Sequence, residues 1–65
     1  MGCYWGEYDD KGEMVTEVVY RGEYAEPAYV VRARVGGKVK RYECDHISHV
    51  RNWLASHGLP FPYMR

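Results

Sequence analysis

Apolar and polar positions follow a strand-like pattern over the first two thirds of the chain, then switch to a helical period. Residues 3–8, CYWGEY, form a short aromatic run. Residues 13–21, EMVTEVVYR, are rich in β-branched side chains, which suit a pleated, half-buried surface. Between them, Asp9-Asp10-Lys11-Gly12 supplies turn chemistry: Asp side chains bond back to nearby backbone, and Gly accepts positive φ. The two runs predict a hairpin. Gly22 and Pro27 bound a connector over residues 22–27. Residues 28–35 and 38–44 predict two further strands on either side of Gly36-Gly37. Beyond them Ile47, Val50, Trp53 and Leu54 recur at helical spacing and predict a helix over 46–57. Asp45 is placed to cap its start, and Gly58 followed by Pro60 to stop it. Residues 58–65 predict an irregular tail whose Leu59, Phe61 and Tyr63 fold back on the core. The sum is a single domain over residues 1–65 of the α+β class. It is a four-stranded antiparallel meander sheet with one C-terminal helix packed on one face, in the order ββββα.

The register of the second hairpin decides where its charges point. A two-residue loop pairs Arg34 with Val39 and Val35 with Lys38, mixing apolar and charged side chains on both faces. A three-residue loop, Gly36-Gly37-Lys38, pairs Val35 with Val39 and Arg34 with Lys40. It sorts Val31, Ala33, Val35 and Val39 to one face and Arg32, Arg34, Lys40 and Tyr42 to the other. A one-residue slip exchanges the faces, so burial is expected to select the cleaner sorting. Three-residue loops with Gly in the left-handed position are common. The expectation is a basic stripe on the face away from the helix.

Composition narrows the classes. The chain is 65 residues long, 46% hydrophobic and 28% charged, which is globular rather than disordered. A chain this short buries only about 60% of its unfolded surface. Seven Tyr, two Trp and one Phe compensate with large buried area per residue, and are also favoured interface anchors. Net charge is zero but unevenly spread. Residues 1–27 set seven acids against Lys11 and Arg21, a balance of −5; residues 28–65 carry +5. The asymmetry points to a charged partner, or to halves that neutralise each other across the sheet. No apolar run is long enough to span a membrane, and no basic start with an apolar stretch marks a signal peptide. Cys3 and Cys44 then read as reduced thiols, and the expected location is the cytoplasm, the host's if the chain is phage-encoded.

Catalysis and cofactors find little support. Cys44, His46 and His49 crowd the helix start and are the candidate metal ligands, but no C-x₂-C pair accompanies them. The alternative is a small buried Cys and two polar first-turn His. Cys44 as a nucleophile lacks a recognisable oxyanion hole or pocket, so no enzymatic role and no cofactor are expected. Gly36-Gly37 lacks the Lys-Ser/Thr of a phosphate loop.

The basic hairpin over residues 29–42 remains, and a β-ribbon of this kind can enter the DNA major groove. The run AYVVRARVGGKVKRY followed by a helix resembles AP2-like DNA-binding domains, including those at the N-termini of some phage integrases. The resemblance covers about residues 13–57 and rests on the R-A-R-V-G-G-K pattern. It implies a three-stranded sheet that reads DNA, backed by a helix, with Arg32, Arg34, Lys38, Lys40 and Tyr42 as contacts. The acidic first half and neutral net charge favour a different reading, a non-catalytic module that docks on a protein. Its candidate contact residues are Arg32, Arg34, Lys38, Lys40, Arg41 and Tyr42. In size and composition it is similar to short phage-encoded inhibitors of host nucleic-acid machines, such as anti-CRISPR proteins. An exposed edge strand such as residues 3–8 offers a route to a homodimer.

Overall fold

The computed structural model describes residues 3–62. Strands β1 (Cys3–Tyr8), β2 (Met14–Tyr20), β3 (Tyr29–Val35) and β4 (Lys38–Cys44) are followed by helix α1 (Ile47–Ser56). The strands form one antiparallel sheet in the order β1-β2-β3-β4, the expected meander, and α1 packs against β3 and β4. No helix among the described residues is long and apolar enough to cross a membrane.

Cross-strand pairing lines up Trp5, Val18, Val31 and Tyr42 on the side that α1 covers. Val18 and Val31 are fully buried, and Val50 and Leu54 of α1 close over them. Each such side chain contributes about 1.5–3 kcal/mol, more than any single surface contact, so this row sets the orientation of the sheet. Tyr42 stacks on Trp53 with ring centroids 5.4 Å apart and planes 6° from parallel. Leu59 and Phe61 fold back onto this core as expected, Phe61 edge-on to Trp5 at 5.7 Å. Tyr63 lies outside the described residues.

The helix ends divide. At the C-terminus the Gly58 N–H donates to the Ala55 carbonyl and the Leu59 N–H to the Leu54 carbonyl. This double bond pattern, with Leu59 packed on the core, is a Schellman motif, and it ends the helix where Gly58 predicts. At the N-terminus the expectation fails. His46 occupies the N-cap position without a side-chain cap, and Asp45 is turned away to accept the Ala28 N–H at 3.2 Å. Tying β3 to the β4–α1 connector takes the carboxylate that sequence assigns to capping.

The β3–β4 register also corrects the sequence expectation. Arg34 pairs with Val39 and Val35 with Lys38, so the loop is the two-residue Gly36-Gly37. Both glycines have positive φ, 58° and 81°, as a turn matched to strand twist requires. The physical reason lies further down β4. A three-residue loop would set Arg41 opposite Ala33 and Glu43 opposite Val31, driving both charges under the helix. The two-residue loop puts Tyr42 and Cys44 there instead. Its cost is Val39, left 59% exposed, with Lys38 and Lys40 on the helix side. On an edge strand that cost is small, because lysine stems reach water. The non-hydrogen-bonded pair next to a two-residue turn has close α-protons. An Hα–Hα Overhauser contact between Arg34 and Val39 is therefore expected; one between Arg34 and Lys40 would reinstate the longer loop.

Candidate functional site

The face of the sheet away from α1 is built by alternation. Tyr4, Gly6 and Tyr8 of β1 share it with Glu17 and Val19 of β2, Val30, Arg32 and Arg34 of β3, and Val39, Arg41 and Glu43 of β4. The expected stripe is thus split. Arg32 and Arg34 lie on the open face as predicted. Lys40 and Tyr42 do not: Lys40, like Lys38, is exposed on the helix side, and Tyr42 is half-buried beneath Trp53. Arg41 takes their place on the open face.

Acids of the first half meet these arginines. Arg32 donates to Oε1 of Glu17 from Nε at 2.9 Å and from a terminal nitrogen at 2.6 Å. Arg34 reaches two carboxylates, Asp9 at 2.7 Å and Glu13 at 2.6 Å. Arg41 pairs with Glu43 at 2.6 Å. Arg32 and Arg41 are direct cross-strand partners, an arrangement that like charges make unfavourable. A carboxylate on each removes the conflict. Asp9 is preorganised for its role: its Oδ1 accepts the Lys11 and Glu13 N–H groups in the β1–β2 loop, leaving Oδ2 for Arg34. The Arg34 guanidinium, then the Glu13 N–H, hold the Asp9 carboxyl below its ordinary pKa. Among the described residues Lys38 and Lys40 make no ion pair.

Glu17 is the centre of the face. Its side chain is only 14% exposed, with Arg32 on Oε1 and the Tyr4 hydroxyl donating to Oε2 at 2.8 Å. Gly6 makes the second contact possible. It pairs with Glu17 across the strands, and a Cβ there would lie 2.8 Å from the Tyr4 ring. Without a side chain at position 6, the ring lies across the strand to Glu17 and to a short hydroxyl–hydroxyl contact with Tyr8. The Tyr8 bond, then burial, then Glu17 push the Tyr4 phenol above its ordinary pKa. Tyr4 and Tyr8 are still 42% and 51% exposed. Sequence reasoning placed these tyrosines on a strand but not at the site. The signal was the Tyr-x-Gly-x-Tyr spacing, which puts all three on one face with a gap in the middle.

The candidate metal ligands separate. The Cys44 thiol is buried in the core among Val18, Val31, Val50 and Leu54, and burial, with Asp45 nearby, pushes its pKa up. His46 and His49 are exposed, ring to ring at 5.6 Å. Among the described residues no three His, Cys, Asp or Glu side chains are grouped to hold a metal ion. A raised thiol pKa in a packed core is the opposite of what a nucleophile needs.

Comparison with protein-family models, curated proteins and solved structures returns no match.

Glu17→Ala would leave Arg32 facing Arg41 without its carboxylate and remove the acceptor to which the Tyr4 hydroxyl donates. Arg32 is half-exposed, so the expected loss is about 1 kcal/mol, a fall in Tm of roughly 6 °C for a domain this small. Glu43→Ala, at an exposed pair, is expected to change stability by less than about 0.5 kcal/mol. Equal effects in thermal melts would contradict the central place of Glu17.

Proposed function

We propose that this chain is a non-catalytic module that docks on a protein through the open face of its sheet. The observation that carries this reading is the charge matching of Arg32 and Arg34 by Glu17, Asp9 and Glu13. A surface for the DNA backbone must offer unspent positive charge. This one offers tyrosines and paired arginines, side-chain types that anchor protein interfaces, beside the exposed apolar side chain of Val39. The finer form of the proposal is occlusion of a host nucleic-acid machine, as short phage-type inhibitors, anti-CRISPR proteins among them, accomplish; its support is size and composition. Self-association belongs to the same proposal. The β4 edge carries Lys38, Lys40 and Arg41, charges that discourage strand pairing, whereas β1 carries only Glu7.

A second reading keeps one specific observation. Lys38 and Lys40 are exposed and unspent at the hairpin end, where the likeness to AP2-like domains places DNA contacts.

Immobilised protein in a nuclease-treated bacterial lysate separates the two. Docking on a protein predicts a partner retained after nuclease and lost with the double variant Tyr8→Ala, Val39→Asp, which changes two exposed side chains. Capture that disappears with nuclease, or that the double variant leaves intact, would overturn the open-face proposal.

A further inference from the structure

The helix side of the sheet holds a concavity that the open face does not use. It lies where the last rung of β2 and β3 meets the start of α1, and its volume is about 570 Å³. Three backbone features shape it. The Ala28 N–H bonds to Asp45, joining β3 to the β4–α1 connector. The Arg21 N–H bonds to the Ala28 carbonyl, and the Ala25 N–H to the Gly22 carbonyl, which folds residues 22–27 into one wall. The cross-strand partners Tyr20 and Tyr29 bring their rings to 4.8 Å and both line the cleft.

The lining is one-sided in charge. Glu23, Glu26 and Asp45 contribute carboxylates, and neither Lys nor Arg is present. Glu23 and Glu26 make no hydrogen bond or ion pair among the described residues, so their charge is unspent, in contrast to the acids of the open face. The neighbouring Arg21 turns its guanidinium to the Pro27 carbonyl at 3.4 Å. The start of α1 contributes about half a positive charge, which three carboxylates outweigh. Aromatic rings beside anionic groups attract a cation by two routes, ring quadrupole and charge. A planar guanidinium suits them better than an ammonium, because it stacks on a ring while its edge donates to carboxylates.

We propose that this cleft binds an arginine side chain presented by a partner molecule, its guanidinium against Tyr20 and Tyr29 and its charge met by Glu23, Glu26 and Asp45. The volume falls in the range of sites that enclose a small ligand. The proposal stands apart from the open-face reading, since it uses other residues on the other side of the sheet.

The test is a titration of ¹⁵N-labelled protein with N-acetyl-L-arginine amide at about pH 7.5. N-acetyl-L-citrulline amide, of nearly the same shape and uncharged, is the control. Saturable shifts at millimolar concentration are expected at Tyr20, Ala28, Tyr29 and Ile47, with citrulline binding about tenfold weaker. Glu23→Gln with Glu26→Gln is expected to weaken arginine binding by about fivefold, and more salt to do the same. Both side chains are exposed, so folding is not at stake. The open-face variant Tyr8→Ala, Val39→Asp should bind as wild type. No saturable shift, equal affinity for citrulline, or no effect of the double Gln variant would overturn the proposal.

Discussion

Two consecutive glycines in the left-handed region decide which side of the β3–β4 hairpin meets water. Gly36 and Gly37 close the strands with a two-residue turn, and every later residue of β4 inherits its face from that choice. Tyr42 and Cys44 go under the helix; Arg41 and Glu43 go to solvent. One more residue in the loop would reverse all four and carry two charges under the helix. Desolvating each costs several kcal/mol even where the two pair with each other, more than the cost of exposing Val39. The interior of β4 therefore sets the turn, and the turn sets the open face.

That face is defined by what its arginines already hold. Arg32 and Arg34 come from the basic half of the chain, Glu17, Asp9 and Glu13 from the acidic half, and the meander sets β2 beside β3 so that they meet. Opposite charges within 3 Å present little net field at the Debye length of about 8–10 Å, beyond which salt screens the remainder. Surface pairs of this kind add little stability. Their consequence is a surface whose recognition depends on shape, tyrosine and local hydrogen bonding. Among the described residues, the charges without an ion pair include Lys38 and Lys40 at the hairpin and the carboxylates of Glu23 and Glu26 in the cleft.

The element order was legible in the sequence because periods of two and of 3.6 leave a strong imprint over six or more residues. The helix stop at Gly58 was legible for a local reason, since a Schellman motif needs only its own turn. The β3–β4 register was not, because comparing residues 34–40 alone ignores where Arg41 and Glu43 must then go. The N-cap was misread because Asp45 is claimed by Ala28, seventeen positions earlier, and a nonlocal contact outbids a local propensity. Arg32 and Arg34 were found as surface residues, but their carboxylate partners are also nonlocal. The idea that the two halves neutralise each other was available from the charge count; the specific pairs required the strand register. Tyr4 and Tyr8 became visible as a site only with Gly6 beneath the Tyr4 ring.

The central claim is that the chain's own acids occupy the arginines of the open face. It is tested most directly by removing those acids and asking whether the face becomes a nucleic-acid binder. Duplex DNA would be titrated at low and moderate salt with wild type and with the triple variant Asp9→Asn, Glu13→Gln, Glu17→Gln. The account predicts no tight binding by wild type. It predicts salt-sensitive binding by the variant, with a slope that grows with the number of phosphates met. Tight wild-type binding with a steep salt slope, weakened by Arg32→Ala with Arg34→Ala, would contradict it.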